Sequence, residues 1–375
     1  MIAYRGGMNR RRLLLIACLT AASCTEAPPV ADSSTGHAST AIDSSGSEST
    51  SPSTSSTSSS TDTGDLASSS TTGEPACTDS VAATTEDVAL PTKTGLIHGV
   101  FMAPEGCPPF PTVLLHVGSG PTDRDGNSPL IRGSNDGHLQ LAEALQQAGI
   151  ATLRFDKRGI AASAGALEDP ATLVLETYAD DLAAWVELLR TDPATIGSLT
   201  LLGHSEGSLI ATIVAQEAEV DALITVAGPG RPVGDILLDQ LAAQTTDRDL
   251  LMRAAEIVDA LEMGQMVDDI PPELESIFSP SVQGYLISLF ARDPAQELSV
   301  VDVPTTIVVG TADIQVPVAE GEVLASAAPD AALVVIDGMT HVFKSDEDGQ
   351  DAAYSDPTVP LATGFVDAII TATAQ

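Results

Sequence analysis

The sequence predicts an α/β fold in which a mostly parallel sheet is covered by helices on both faces. Three observations lead there. Short, continuous apolar runs recur at 112–117, 150–155, 199–202, 222–226, 305–309 and 333–336, as expected of strands buried on both faces. Helical patterns fall between these runs, and strand–helix alternation implies a parallel sheet with crossovers. Finally, 43% of the 375 residues are apolar, enough for a full core.

In chain order, 88–103 reads as a β-hairpin turning at Gly95. The strand at 112–117 opens the alternating part. The clearest helix is 178–190, with Tyr178, Leu182, Trp185, Val186 and Leu189 on one face. Asp180 and Asp181 are expected in its first turn, Arg190 in its last, and Pro193 lies just beyond. Between 231 and 298 only helical patterns occur, at 236–241, 250–266 and 285–290. Two helical hairpins between successive strands are expected to form an inserted cap over the C-terminal edge of the sheet, where open α/β sheets bind ligands.

The first 76 residues have a different character. Arg10, Arg11 and Arg12 precede an apolar run at 13–19, then Ala21, Ala22, Ser23 and Cys24. That order reads as an export signal, and small residues before a cysteine resemble a bacterial lipobox whose Cys24 becomes lipidated, an ordinary secretory signal with an incidental cysteine being the alternative. Cys18 also fits locally but leaves the apolar run too short. Met8 restores ordinary signal architecture, so 1–7 read as an upstream start. The paired arginines also suit a folded-protein export route. Residues 1–24 are therefore expected to be a signal peptide, 25–76 a linker and 77–375 the folded domain. From Ser49 to Thr61 every residue but Pro52 is Ser or Thr; such a tract cannot bury enough surface to offset ordering entropy, and disorder is expected. No other stretch is long and apolar enough to span a bilayer. Cys77 and Cys107 would remain after processing, and a pair outside the cytoplasm suggests a disulfide, with two free thiols as the alternative.

Charge is lopsided, with 16 Lys and Arg against 52 Asp and Glu, a net of −36. The first 77 residues hold four of the bases and seven of the acids, so −33 belongs to the remainder. Such a surface repels phosphate backbones and anionic headgroups, which argues against nucleic-acid binding and suits solubility or salt tolerance.

The chemistry points to 203–207, Gly-His-Ser-Glu-Gly, directly after one apolar run and before a helical pattern. G-x-S-x-G in that setting is a strand-to-helix turn that lifts a serine hydroxyl clear of the backbone, which makes Ser205 the candidate nucleophile. A serine needs a base, and the base an acid to hold its tautomer. Of six histidines only His341 follows Ser205, in a loop after the last strand, so it is the candidate base. Asp313, in the turn after 305–309, is the candidate acid and Asp337 the fallback. An oxyanion hole needs two backbone donors. Those expected are the N–H of Glu206 and, from the loop Gly118-Ser119-Gly120-Pro121, that of Ser119, with Gly118 second. A phosphate-cradling reading of this loop lacks a following helix with Lys-Ser/Thr. No His/Asp/Glu cluster has metal-ligand spacing, and neither metal nor cofactor is expected.

The blocks G-S-G-P-T-D-R-D-G, L-R-F-D-K-R-G, G-H-S-E-G, D-I-Q-V-P and G-M-T-H stand in order in this chain. Over about 85–372 they resemble bacterial α/β-hydrolases of the EstD-type esterase group, near the serine aminopeptidases. The resemblance implies carboxylic-ester hydrolysis through an acyl-enzyme. It also implies that Asp123, Arg124, Asp156, Lys157 and Arg158 brace the active-site floor; the alternative, simple ion pairing for stability, is the favoured reading of these charges. Relatives continue R-G with V-G-x-S, whereas here Gly159 runs into Ile160-Ala161-Ala162-Ser163, an alanine expected to reshape that loop. The sequence thus reads as an exported, lipid-anchored serine esterase for a small-molecule substrate. An aminopeptidase or thioesterase on the same triad is the alternative, and a binding protein that kept only the fold is a third reading. The apolar character of 231–298, with Met252, Met263 and Met266, favours esters over a substrate amino group.

Overall fold

The computed structural model describes residues 80–374. The expected signal and linker, Cys24 and Cys77 lie outside the described residues. Cys107 is disulfide-bonded.

Eight strands form one sheet: β1 (Thr84–Pro91), β2 (Leu96–Ala103), β3 (Phe110–His116), β4 (Ala151–Phe155), β5 (Ile196–His204), β6 (Ala222–Val226), β7 (Thr305–Gly310) and β8 (Ala332–Ile336). Their order is β1-β2-β4-β3-β5-β6-β7-β8. The β1–β2 hairpin and the β2–β4 pair are antiparallel, and every later pair is parallel. Parallel neighbours need crossovers, which α1 (Gly137–Gln147), α2 (Leu175–Arg190) and α3 (Glu206–Ala215) supply among β3 to β6. This is the α/β-hydrolase fold.

Strand residues alternate between two cores, as a period of two requires. Leu114, Leu153 and Leu201 enter one core with Trp185 of α2 and Ile210 of α3. Val113, Leu115 and Leu202 enter the other with Leu141 of α1 and Ile369. Both sheet faces are therefore apolar, which is why these strands read as unbroken runs.

The helix α2 begins at Leu175, three residues before the expected start, so Asp180 and Asp181 fall beyond its first turn, where Glu176 stands. Its N-cap, Val174, offers no side-chain acceptor. Instead the N–H of Leu175 donates to the Ser288 hydroxyl at 2.8 Å, a residue remote in sequence. Asp181 is an inward ion-pair partner of Arg158, at 2.5 Å.

Between β6 and β7 lie five helices: α4 (Val233–Gln244), α5 (Arg248–Glu262), α6 (Glu275–Phe278), α7 (Pro280–Phe290) and α8 (Pro294–Leu298). In α5 the buried positions Ala254, Ile257, Val258 and Leu261 follow helical spacing. The helix stops at Glu262 rather than running to Met266, and Gly264 takes the left-handed conformation just beyond (φ 73°). Met252, Met263 and Met266 are 60%, 66% and 59% exposed. They face solvent, so they give no support to an apolar site. The rest of the fold comprises α9 (Val318–Ala327), α10 (Gln350–Ser355) and α11 (Phe365–Thr373).

One buried side chain holds the insert together. Gln283 of α7 donates to the carbonyls of Val267 (2.7 Å) and Phe278 (2.8 Å) and accepts from the N–H of Val267 (2.8 Å). A Gln283→Leu variant strands three main-chain groups, each costing about 1–3 kcal/mol when buried without a partner. It should lose about 2–4 kcal/mol of stability, read as a shifted denaturation midpoint, and an unshifted midpoint would remove Gln283 from this role.

Candidate active site

The turn between β5 and α3 is tighter than its five letters suggest. Ser205 sits at φ 55°, ψ −123°, a sparsely populated region that costs of order 1–3 kcal/mol unless its surroundings impose it. The surroundings are main chain. A Cβ on Gly203 would stand 2.2 Å from the Gly207 carbonyl oxygen, and one on Gly207 would stand 2.5 Å from that of Val117. The two glycines are therefore needed for close approach of backbone, while the strained φ falls on the serine itself. The Ser205 N–H donates to Val226 O at 2.9 Å, tying the turn to the end of β6.

The candidate acid and base meet. His341 Nδ1–H donates to Asp313 Oδ2 at 2.8 Å. The other oxygen, Oδ1, accepts from the N–H groups of Gln315 (2.8 Å) and Val316 (2.9 Å). The carboxylate is thus fixed by main chain on one side and fixes the imidazole tautomer on the other. Asp337, the fallback, instead accepts from the Thr311 hydroxyl at 2.9 Å. The two loops are close because the strands delivering them are parallel neighbours: a Cβ on Gly310, at the end of β7, would stand 2.1 Å from Met339 O.

A residue that sequence reasoning passed over links the candidate base to the candidate nucleophile. His204, immediately before Ser205, lies between His138 and His341, with His138 Nε2 at 3.1 Å from its Nδ1 and His341 O at 2.9 Å from its Nε2. A carbonyl only accepts, so His204 Nε2 carries the proton and Nδ1 is bare. His138 Nε2 must then be the donor to it. Burial, more than neighbouring charge, lowers His138 to a pKa of about 3 and holds His204 well below the imidazole range. The pair is neutral and ordered, and it fastens the backbone at His341 to the Ser205 turn. Phe343 packs edge-on against His204 and His138.

The candidate oxyanion loop lies against the serine. A Cβ on Gly118 would be 3.1 Å from Ser205 Cβ, so the Gly118–Ser119 backbone borders the nucleophile. Glu206 opens α3, with its N–H in the helix's first turn and its side chain buried beside Lys157 and Tyr285. Burial raises its carboxyl above the ordinary range, and Lys157 opposes the rise.

The expected ion pairs account for most of the charges beneath. Asp156 pairs with Arg124 at 3.0 Å and accepts from the N–H groups of Arg124 (2.8 Å) and Ala162 (3.1 Å). Arg158 pairs with Asp181, and Asp123 accepts from the N–H groups of Asp125 and Asn127, each at 2.9 Å. Lys157 differs: its ammonium donates to Gly118 O at 2.6 Å. Ala161, the alanine expected to reshape this loop, takes a left-handed φ of 43°, so it holds a glycine-like conformation at a cost of about 1–2 kcal/mol. Beside this loop lies a cavity of about 500 Å³ lined by Pro121, Asn127, Ser128 and Ile160 among others. Among the described residues no group of three or more His, Cys, Asp or Glu side chains is placed to hold a metal ion.

A His204→Leu variant should leave the His341 carbonyl and the His138 N–H without partners and lower stability by about 2–4 kcal/mol. Gln at this position, with a donor and an acceptor, should recover part of it. Equal denaturation midpoints for Leu and Gln would mean the relay contributes shape alone.

A family model described as "Serine aminopeptidase, S33" matches residues 136–260. Esterase EstD of Thermotoga maritima is 28% identical over 275 residues, covering 72% of this chain and 62% of the relative; the chain thus spans about three-fifths of the length of that curated relative. Among solved structures, ferulic acid-bound Est1E from Butyrivibrio proteoclasticus aligns with a TM-score of 0.49 and 16% identity, over 76% of this chain and 96% of the other. A thermophilic esterase from Thermogutta terrifontis aligns with a TM-score of 0.42 and 22% identity, over 68% and 92%.

Proposed function

We propose that this protein is a serine hydrolase that cleaves small carboxylic esters through an acyl-enzyme, with Ser205 as nucleophile, His341 as base and Asp313 as its acid. The observation that carries the reading is the 2.8 Å bond between Asp313 and His341, held to a strained serine turn through His204. Ser205 Oγ attacks the ester carbonyl carbon and its proton passes to His341. The carbonyl oxygen gains the electron pair, stabilised by the N–H groups of Ser119 and Glu206. The intermediate collapses, the C–O bond to the alcohol breaks, and the leaving oxygen takes the proton from His341. Water repeats the sequence on the acyl-enzyme and frees the acid. None of these steps calls for a cofactor. The likeness to a named esterase supports an ester over an amide as substrate, and the α4–α8 insert would cap the site.

Three variants of the full chain test this, assayed on p-nitrophenyl esters, acyl thioesters and aminoacyl amides. Ser205→Ala should abolish turnover and fluorophosphonate labelling while keeping the fold. His341→Ala should lose nearly as much and Asp313→Asn somewhat less, since triad members act as a unit. Equal labelling of wild type and Ser205→Ala would remove Ser205 from its role. A wild type active mainly on aminoacyl amides would point to the aminopeptidase, and one inert on all three to a binding protein.

We also propose that the protein works outside the cytoplasm, anchored by lipid on Cys24, with 25–76 as its tether and Cys77 as the disulfide partner of Cys107. One acyl chain binds a membrane only reversibly, and a domain of −33 is repelled by anionic headgroups. Attachment therefore depends on the modified cysteine carrying more than one chain. In a bacterial host the wild type should partition into detergent and Cys24→Ser should be soluble or unprocessed. A wholly soluble wild type whose N-terminus lies beyond Cys24 would leave an ordinary secreted protein.

A further inference from the structure

Lys157 is a buried cation beneath the candidate site whose hydrogen bond goes to main chain rather than to a carboxylate. Its side chain is buried, and its ammonium donates to the carbonyl oxygen of Gly118 at 2.6 Å, the length of a charge-assisted bond. The Tyr178 ring lies under it, with the nitrogen 5.2 Å from the centroid. Burial pulls its pKa below the ordinary lysine value and the Glu206 carboxyl pulls it back up. The same ammonium helps hold neighbouring His116 neutral.

The carbonyl it contacts belongs to a particular peptide. Gly118 C=O and Ser119 N–H are the two ends of one resonance-coupled unit. A donor on the oxygen draws electron density from the nitrogen and makes the N–H a stronger donor. The Gly118 backbone borders Ser205, since a Cβ on Gly118 would stand 3.1 Å from Ser205 Cβ, and this peptide is the one expected to face the oxyanion. We propose that Lys157 is a positioning residue for the oxyanion hole: through the Gly118 carbonyl it fixes and polarises the Gly118–Ser119 peptide, strengthening the Ser119 N–H toward the oxyanion. This rests on the acyl-transfer reading above. It replaces the expected bracing role of Lys157 with an electrostatic one, exerted only when negative charge appears on the substrate oxygen. Such an interaction raises kcat and leaves KM nearly unchanged.

Loss of a direct oxyanion donor costs about 10²–10³ in rate, and a group acting through that donor should cost less. Lys157→Met, similar in shape but uncharged, should lower kcat by about 10–100-fold with KM within about twofold. Affinity for trifluoromethyl hexyl ketone, whose adduct with Ser205 carries an oxyanion, should fall by the same factor. Hexyl methyl ketone, which binds without forming that anion, should bind as before. Lys157→Gln, which keeps a neutral donor, should fall between. A purely bracing role would lower the melting temperature of Lys157→Met while kcat of the folded fraction and the affinity for the fluorinated ketone stay at wild-type values, and that result overturns the proposal. If neither variant folds, the ¹⁵N resonance of the Lys157 ammonium in wild type decides. It should move when the fluorinated ketone adds and stay when hexyl methyl ketone binds; equal response to both overturns the proposal. A wild type that turns over no ester and forms no adduct would instead sink the acyl-transfer reading.

Discussion

The crowding of main chain around the β5–α3 turn is the constraint on which the rest of the site depends. With no side chain at Gly203 or Gly207, three backbone segments approach within van der Waals contact: the end of β3, the end of β5 and the start of α3. Any Cβ there would push the helix away from the sheet. The approach fixes the Ser205 conformation and brings the Gly118 backbone against it. Strain at Ser205 is held by bonds on both sides, its N–H to Val226 O and its carbonyl to the Ser208 N–H at 2.9 Å each.

Around that turn the side chains work mostly on backbone, not on one another. Asp313 is held by two amides, His204 holds a carbonyl, and Lys157 holds another. Loops positioned by buried charged or neutral-polar donors need not reorganise when charge develops on a substrate, the condition under which fixed dipoles are most effective. Gln240 of the insert follows the same rule, donating to Gln315 O at 2.9 Å and so touching the loop of the acid from the other side.

The strands were legible because both sheet faces are apolar, and every parallel strand lies within a few residues of its sequence position. The pairing of Asp313 with His341 was within reach, since β7 and β8 are neighbours and both loops leave the same edge. Its place in the turn after β7 put Asp313 ahead of Asp337 in the sequence, and the structure separates them by the 2.8 Å contact of Asp313 with the imidazole, Asp337 bonding to Thr311 instead. Three features left no mark on the sequence. The start of α2 depends on Ser288, far along the chain. The methionines of the insert carry the same apolar signal whether they face a site or water. His204 and Lys157 bond to carbonyls, and any residue can supply a carbonyl, so no partner type betrays them.

The ordered imidazoles carry a thermodynamic consequence. His116 and His138 are held neutral down to a pKa of about 3, and His204 lies well below the usual value, in each case chiefly by burial. An unfolded chain protonates the same rings near 6.5. For His116 and His138 the unfolded state therefore binds, between about pH 6.5 and 3, protons that the folded state refuses, and each of these two rings withdraws about 1.4 kcal/mol of stability per pH unit of acidification across that window; His204 acts in the same direction. Above it the three rings cost nothing. The burial that keeps these rings neutral thus opposes the fold in mild acid and couples unfolding to proton uptake, while burial that raises the carboxyls of Asp123, Asp125 and Glu206 acts in the opposite direction.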